Sequence, residues 1–212
     1  MNSFTENTRV QVPAALHLCR LGYTYLDDIS DYNPDTNILT GIFLRSLRRL
    51  NPELDETGSC QMLDKIVGML RNDDLGREFY TLLSANSGLK LVDFENADNN
   101  EWHVTTEFTC ENSDTGDSFR PDITCFVNGL PLAFIEVKKP NNHDGILAER
   151  DRINKRMSNK AFRRFINITQ LMIFSNNREY DSENVVPVQG AFYATTGTNV
   201  SVLFFDNSRK AD

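Results

Sequence analysis

The chain has 212 residues, a net charge of −8, 40% hydrophobic and 25% charged residues. That is enough chain for one generous domain with a real core, and the composition is ordinarily globular. The acidic balance excludes a protein that coats nucleic acid through bulk electrostatics, so any contact with DNA has to come from a local basic face.

The chain opens as a helix. Ser3-Phe4-Thr5-Glu6 has capping-box spacing, and Val10, Ala14, Leu16, His17 and Leu21 follow as its apolar residues, interrupted by Pro13 and ended by Gly22. No basic segment leads into an apolar one and no run approaches membrane-spanning length, so the expectation is a soluble, cytoplasmic protein with no membrane partner. Cys19, Cys60, Cys110 and Cys125 and the scattered His17, His103 and His143 lack metal-site spacing. They read as thiols and imidazoles of a reducing compartment, with neither zinc nor disulfides.

Residues 36–86 carry a helical pattern punctuated by Asn51-Pro52 and Glu56-Thr57-Gly58. Three apolar faces are expected: Ile42, Phe43, Leu47 and Leu50; then Met62, Ile66, Met69 and Leu70; then Leu75, Phe79 and Leu82. Arg45, Arg48 and Arg49 form a small basic cluster whose default is a solvated helix face.

Between residues 89 and 139 the period falls to two. Trp102, Val104, Thr106 and Phe108 predict a strand, residues 112–117 a loop, and residues 120–137 a hairpin turning at Asn128-Gly129, where both residues tolerate positive φ. Each strand of the hairpin carries one carboxylate, Asp122 and Glu136. A bare two-residue loop would put them on opposite faces of the sheet; a three-residue loop ending at Leu130, or a single bulge, sets them opposite each other. Pro131 has no N–H for a ladder and favours an irregular loop exit. Val137 then turns into the core, and Lys138 shares the face of Glu136.

Two carboxylates and an ammonium at the end of so apolar a hairpin call for a chemical reason, because burial of unpaired charge is expensive. A divalent cation between the carboxylates relieves their repulsion, and Asp plus Glu with a backbone carbonyl makes an ordinary Mg²⁺ donor set. Lys138 would lie beside an attacking water, and the chemistry indicated is phosphodiester hydrolysis. The competing account is an ion-pair ladder on an exposed edge hairpin.

Pro121-Asp122 followed by Glu136-Val137-Lys138 resembles the PD-(D/E)xK nuclease signature. With Arg120, Asn128-Gly129-Leu130-Pro131-Leu132 and Lys138-Lys139-Pro140 added, the run is similar to the N-terminal nuclease domain of type I restriction-enzyme R subunits. The likeness extends from about Glu6 to about Gly197 and is sharp between Arg120 and Pro140. It implies an α/β fold with a restriction-endonuclease-like core, a central mixed sheet flanked by helices, and an added N-terminal helical region. It implies Asp122, Glu136 and Lys138 as catalytic residues, with Mg²⁺ (Mn²⁺ substituting) held by Asp122, Glu136 and the Val137 carbonyl. Glu6 matches an acid that faces the metal in such folds, although a capping box explains it locally.

Residues 146–166 read as a basic helix in which Arg152 and Arg156 share a face and are candidate phosphate contacts. R subunits often carry a Gln-x-x-x-Tyr motif there, and this sequence has Arg152 and Arg156 where it is expected. Leu171-Met172-Ile173-Phe174-Ser175-Asn176 predicts a buried strand, and apolar strand-like runs recur over residues 185–205. The expected organisation is an endonuclease domain over 1–206, with a helical part to about 88, a nuclease core over 89–180 and further strands, and then a linker from 207 to 212. No phosphate-binding loop occurs, so ATP would enter only through a motor outside these residues. Implied partners are double-stranded DNA and the methyltransferase and specificity subunits of a restriction complex. The alternatives are a catalytically silent docking module of the same fold and a stand-alone repair nuclease.

Overall fold

A computed structural model describes residues 10–85, 87–111, 118–137, 152, 155 and 159–175. Its centre is a five-stranded mixed sheet. In chain order the strands among the described residues are β1 (Thr24–Tyr25), β2 (Trp102–Thr106), β3 (Cys110–Glu111), β4 (Ser118–Phe119), β5 (Ile123–Val127), β6 (Leu130–Val137) and β7 (Leu171–Ser175). The sheet order is β1-β2-β5-β6-β7, with β2, β5 and β6 antiparallel to one another and β1 and β7 joining parallel to β2 and β6. Strands β3 and β4 pair separately as a short ribbon. The helices with bounds among the described residues are α1 (Val12–Arg20), α2 (Thr40–Leu50), α3 (Glu56–Met69), α4 (Arg77–Leu83) and α5 (Arg163–Ile168).

Alternation along β5 and β6 sorts the core into two sheet faces. Ile123, Cys125, Ala133, Ile135 and Val137 face α1, packing with Val10, Val104, Ala14 and Leu18. Phe126 and Phe134 face the other way, into an aromatic cluster with Phe108, Phe119, Phe165 and Met172. The ring of Phe119 meets Phe134 and Phe165 edge-on at 5.7 and 5.0 Å between centroids, a favoured aromatic geometry. Every residue of β5 is buried, as a strand covered on both faces must be.

Helices α2, α3 and α4 pack at the turn end of the hairpin, where Phe43, Leu47, Ile66, Leu70 and Phe79 join Val127, Leu130 and Leu132 in a third cluster. The expected helical stretch is present, with one change. Glu56-Thr57-Gly58 begins α3 instead of breaking it, because Asp55 caps that helix by accepting from the Gly58 amide at 2.7 Å.

Three further expectations are corrected. Helix α1 carries Pro13 in its first turn and is preceded by a π turn at Val10 and Gln11, and the capping-box residues Ser3 to Glu6 lie outside the described residues. Its core side is Val10, Ala14 and Leu18, while Leu16 and Leu21 are exposed. The first long strand ends at Thr106; Glu107 adopts φ 54 and turns the chain before Phe108. The basic region after the hairpin is not one continuous helix. Arg152 and Lys155 are helical, but Asn159 is extended and caps a 3₁₀ turn at Lys160–Phe162 that leads into α5. Among the described residues no helix is long and apolar enough to cross a membrane.

Candidate active site

The hairpin turns on two residues only, Asn128 at φ 51 and Gly129 at φ 80, with Val127 opposite Leu130. That clean exit differs from the irregular one expected of Pro131. The irregularity sits one step further on: Cys125 pairs with Ala133, so Pro131 and Leu132 together oppose the single residue Phe126. A bulge is where a strand tolerates a residue with no amide hydrogen. Its consequence is register. Beyond the bulge Ile123 faces Ile135, the last pair of the ladder, and Asp122 and Glu136 each lie one residue past it.

Asp122 lies just before β5, and its carboxylate takes over where the strand ladder ends. Its Oδ2 accepts the amide hydrogen of Val137 at 2.8 Å. Its backbone carbonyl accepts from the Glu107 amide at 3.0 Å and from Gln11 Nε2 at 2.7 Å. Glu136 is 5% exposed and lies on an interior strand, between β5 and β7. That position overturns the edge-ladder account, because β6 is not an edge and its glutamate is not solvated. Val137 is 1% exposed and turned to the α1 face, as alternation required.

Asp122 and Glu136 therefore lie at the same end of the hairpin, each next to the last pair of the β5–β6 ladder. Their donor chemistry fits a hard divalent cation: Mg²⁺ is commonly held by one or two carboxylates and completes its shell with water and phosphate oxygens. Among the described residues no group of three or more His, Cys, Asp or Glu side chains stands ready for a metal. Glu6, Lys138 and Arg156 lie outside the described residues. Arg152 is helical and exposed.

Not every basic residue belongs to the site. Arg45 and Arg49 reach Glu101 at 2.8 and 3.2 Å, and Glu101 adjoins the turn through the Asn128 amide, which donates to its carbonyl at 2.8 Å. Six residues of β6 separate that turn from Glu136, roughly 20 Å of strand. Arg163 and Arg164 pair with Asp73 and Asp35 at 2.9 and 3.3 Å. Arg120, directly before Pro121-Asp122, is exposed and pairs with Glu107 at 3.4 Å.

Sequence patterning missed Gln11. A single glutamine near a helix start carries no signal, and its partner lies 111 residues away. It also missed the part played by Glu107, whose positive φ has no local sequence mark.

Residues 3–181 match the family model described as the type I restriction enzyme R protein N terminus. The chain is 31% identical, over 163 residues, to a Methanocaldococcus jannaschii protein that carries the name of a type I restriction enzyme MjaIXP endonuclease subunit; the match covers 65% of this chain and 16% of that protein. It is 32% identical, over 114 residues, to the type I restriction enzyme HindI endonuclease subunit of Haemophilus influenzae, covering 45% of this chain and 10% of that one. The chain thus spans a sixth or less of the length of these relatives. With the match running through the hairpin and both flanking helical regions, the chain belongs to the family of type I restriction enzyme R protein N termini.

Proposed function

We propose that this chain is the Mg²⁺-dependent endonuclease domain of a type I restriction enzyme R subunit, hydrolysing phosphodiester bonds of double-stranded DNA. The observation that carries this reading is the register of the hairpin. It leaves Asp122 and Glu136 each one residue beyond the last β5–β6 pair, with the Val137 amide bound to the Asp122 carboxylate, and this supports a site shared by the two.

Asp122 and Glu136 would hold the cation, with the Val137 carbonyl as a third donor. When bound, the cation supplies positive charge against the phosphate and its developing negative charge. Lys138 would orient the attacking water and stabilise charge on a phosphate oxygen. Arg152, with Arg156, would take DNA phosphates beside the site, and Glu6 would add an acid from the N-terminal segment. Mn²⁺ would substitute for Mg²⁺. The relatives are each named as an endonuclease subunit, which favours a larger assembly; in it, methyltransferase and specificity subunits and an ATP-driven motor would act with this domain.

The test has two arms. Calorimetric titration of the 212-residue chain with Mn²⁺, alone and with a short duplex, should show binding that Glu136→Gln and Asp122→Asn each weaken by an order of magnitude or more. In an assembled restriction complex, Lys138→Ala should abolish cleavage while leaving the domain folded. Cleavage unchanged in that variant would contradict the role of the lysine. No Mn²⁺ binding with or without duplex would favour a silent docking module instead.

A further inference from the structure

Gln11 is 2% exposed and lies in the turn that leads into α1, beside Val10 in the apolar layer under the sheet. Its side chain does not cap its own helix. It reaches across the sequence and donates from Nε2 to the carbonyl of Asp122 at 2.7 Å.

That carbonyl does not need it. The Glu107 amide already donates there at 3.0 Å, so the acceptor would stay satisfied if the glutamine were replaced by an apolar side chain. Burying an amide is costlier than burying a hydrocarbon of the same volume. Gln11 is therefore hard to explain as a requirement of the fold. The other donor is also unusual. Glu107 holds φ 54, a left-handed conformation that disfavours any residue with a side chain. With the Val137 amide on Oδ2 at 2.8 Å, Asp122 is held by hydrogen bonds from three separate parts of the chain: the approach to α1, the end of β2 and the end of β6. Three anchors on one residue immobilise it more than a strand terminus ordinarily is.

We infer that Gln11 is a positioning residue for Asp122, fixing the backbone of the candidate metal ligand from the opposite face of the sheet. It makes no contact with the reacting atoms and acts through Asp122 alone. Its functional consequence rests on the nuclease reading above; its structural consequence does not. The geometry couples the placement of α1 to the site, because a shift of that helix start would pull directly on the Asp122 carbonyl.

The decisive variant is Gln11→Met, close in length and volume but without a donor. Two properties of the folded 212-residue chain would be read. Amide hydrogen exchange at Glu107 and Val137 should quicken about fivefold relative to the amides of β5, because the Asp122 anchor is loosened. Affinity for Mn²⁺ should fall roughly tenfold, the usual scale for losing a group that orients a ligand. Both properties unchanged would overturn the inference. A uniform rise in exchange across β2, β5 and β6 would overturn it too, since that marks a merely structural side chain. Should wild type itself bind no Mn²⁺, the nuclease reading fails on that arm, and the exchange pattern alone decides whether Gln11 positions Asp122. If Gln11→Met does not fold, wild type still provides a test. Slow solvent exchange of the Gln11 side-chain amide, with chemical-shift change on Mg²⁺ addition, supports the inference; fast exchange with no change overturns it.

Discussion

The amide of Leu39 donates to the carbonyl of Gly129 at 2.9 Å, so the tip of the β5–β6 hairpin is fastened to the residue that opens α2. The approach leaves no room for a side chain. A Cβ on Gly129 would sit 2.7 Å from the Leu39 carbonyl oxygen and 2.7 Å from the Phe43 amide nitrogen, at a φ of 80 that side chains avoid. Backbone atoms cannot swing aside, so Gly129→Ala should cost about 2–4 kcal/mol, combining overpacking with strain. Urea denaturation measures it. A loss below about 1 kcal/mol would mean that the tip can lift from α2.

Asn128 offers a sharper contrast. Glycine satisfies the same turn conformation, so on backbone grounds Asn128→Gly should be harmless. The side chain, however, is 1% exposed, accepts from the Glu101 amide at 2.8 Å, and donates to the Leu91 carbonyl at 2.9 Å and to Asn100 Oδ1 at 2.8 Å. Its removal strands the Glu101 amide and the Leu91 carbonyl, while Asn100 Oδ1 keeps the Asp93 amide at 2.9 Å, and Asn128→Gly should destabilise by roughly 2–4 kcal/mol. Thermal unfolding of the variant beside wild type decides whether the turn or the network dominates.

Glu101 gathers Arg45, Arg49 and the Ser46 hydroxyl, the last at 3.0 Å. Burial pushes its carboxyl up, but the hydrogen bonds from Arg45 and Ser46 and the two guanidinium charges outweigh that and hold it below its ordinary value of 4.5. A carboxyl depressed in the folded state stabilises above its unfolded value and loses that contribution as pH falls through the folded one. The sign is therefore acid loss, and the size is under about 1 kcal/mol because both arginines are largely exposed. Glu101→Gln should lower the urea midpoint near neutral pH and converge with wild type as pH falls through the folded carboxyl's depressed value. A gap that persists in acid would assign the effect to packing.

The four cysteines separate by environment. Burial pushes the Cys110 thiol far up and the Cys125 thiol up to about 12, whereas Cys60 is exposed and Cys19 partly so. Only a thiolate reacts, so a disulfide reagent at mildly alkaline pH should label Cys60 quickly and Cys19 more slowly, and leave Cys110 and Cys125 until unfolding. Early labelling of Cys125 would show that β5 opens locally, since it packs with Ile123 and Val137 on the α1 face.

The sequence by itself determined the elements that have strong local patterns. Asn128-Gly129 specified the turn because few residue pairs accept two consecutive positive φ values. The apolar faces of α2, α3 and α4 and the run over β7 were legible because periodicity records which side of an element meets the core. The residues around Asp122 and Glu136 carried the family likeness. Tertiary structure alone decided the rest. Whether the two carboxylates share a face depended on a bulge opposite Phe126, and Pro131 signalled an irregularity without saying where it would fall. Strands β1, β3 and β4 are two residues each, too short to have a period at all. Leu16 and Leu21 fit a helical pattern yet face outward, because the side of α1 that the sheet covers is set by packing on Val104 and Ile123 and not by apolar count. The bonds from Gln11 and Glu107 to Asp122, like those from Arg45 and Arg49 to Glu101, join residues whose spacing in sequence carries no information about contact. Local propensity chooses elements; only the closure of the chain around one core chooses which polar groups meet.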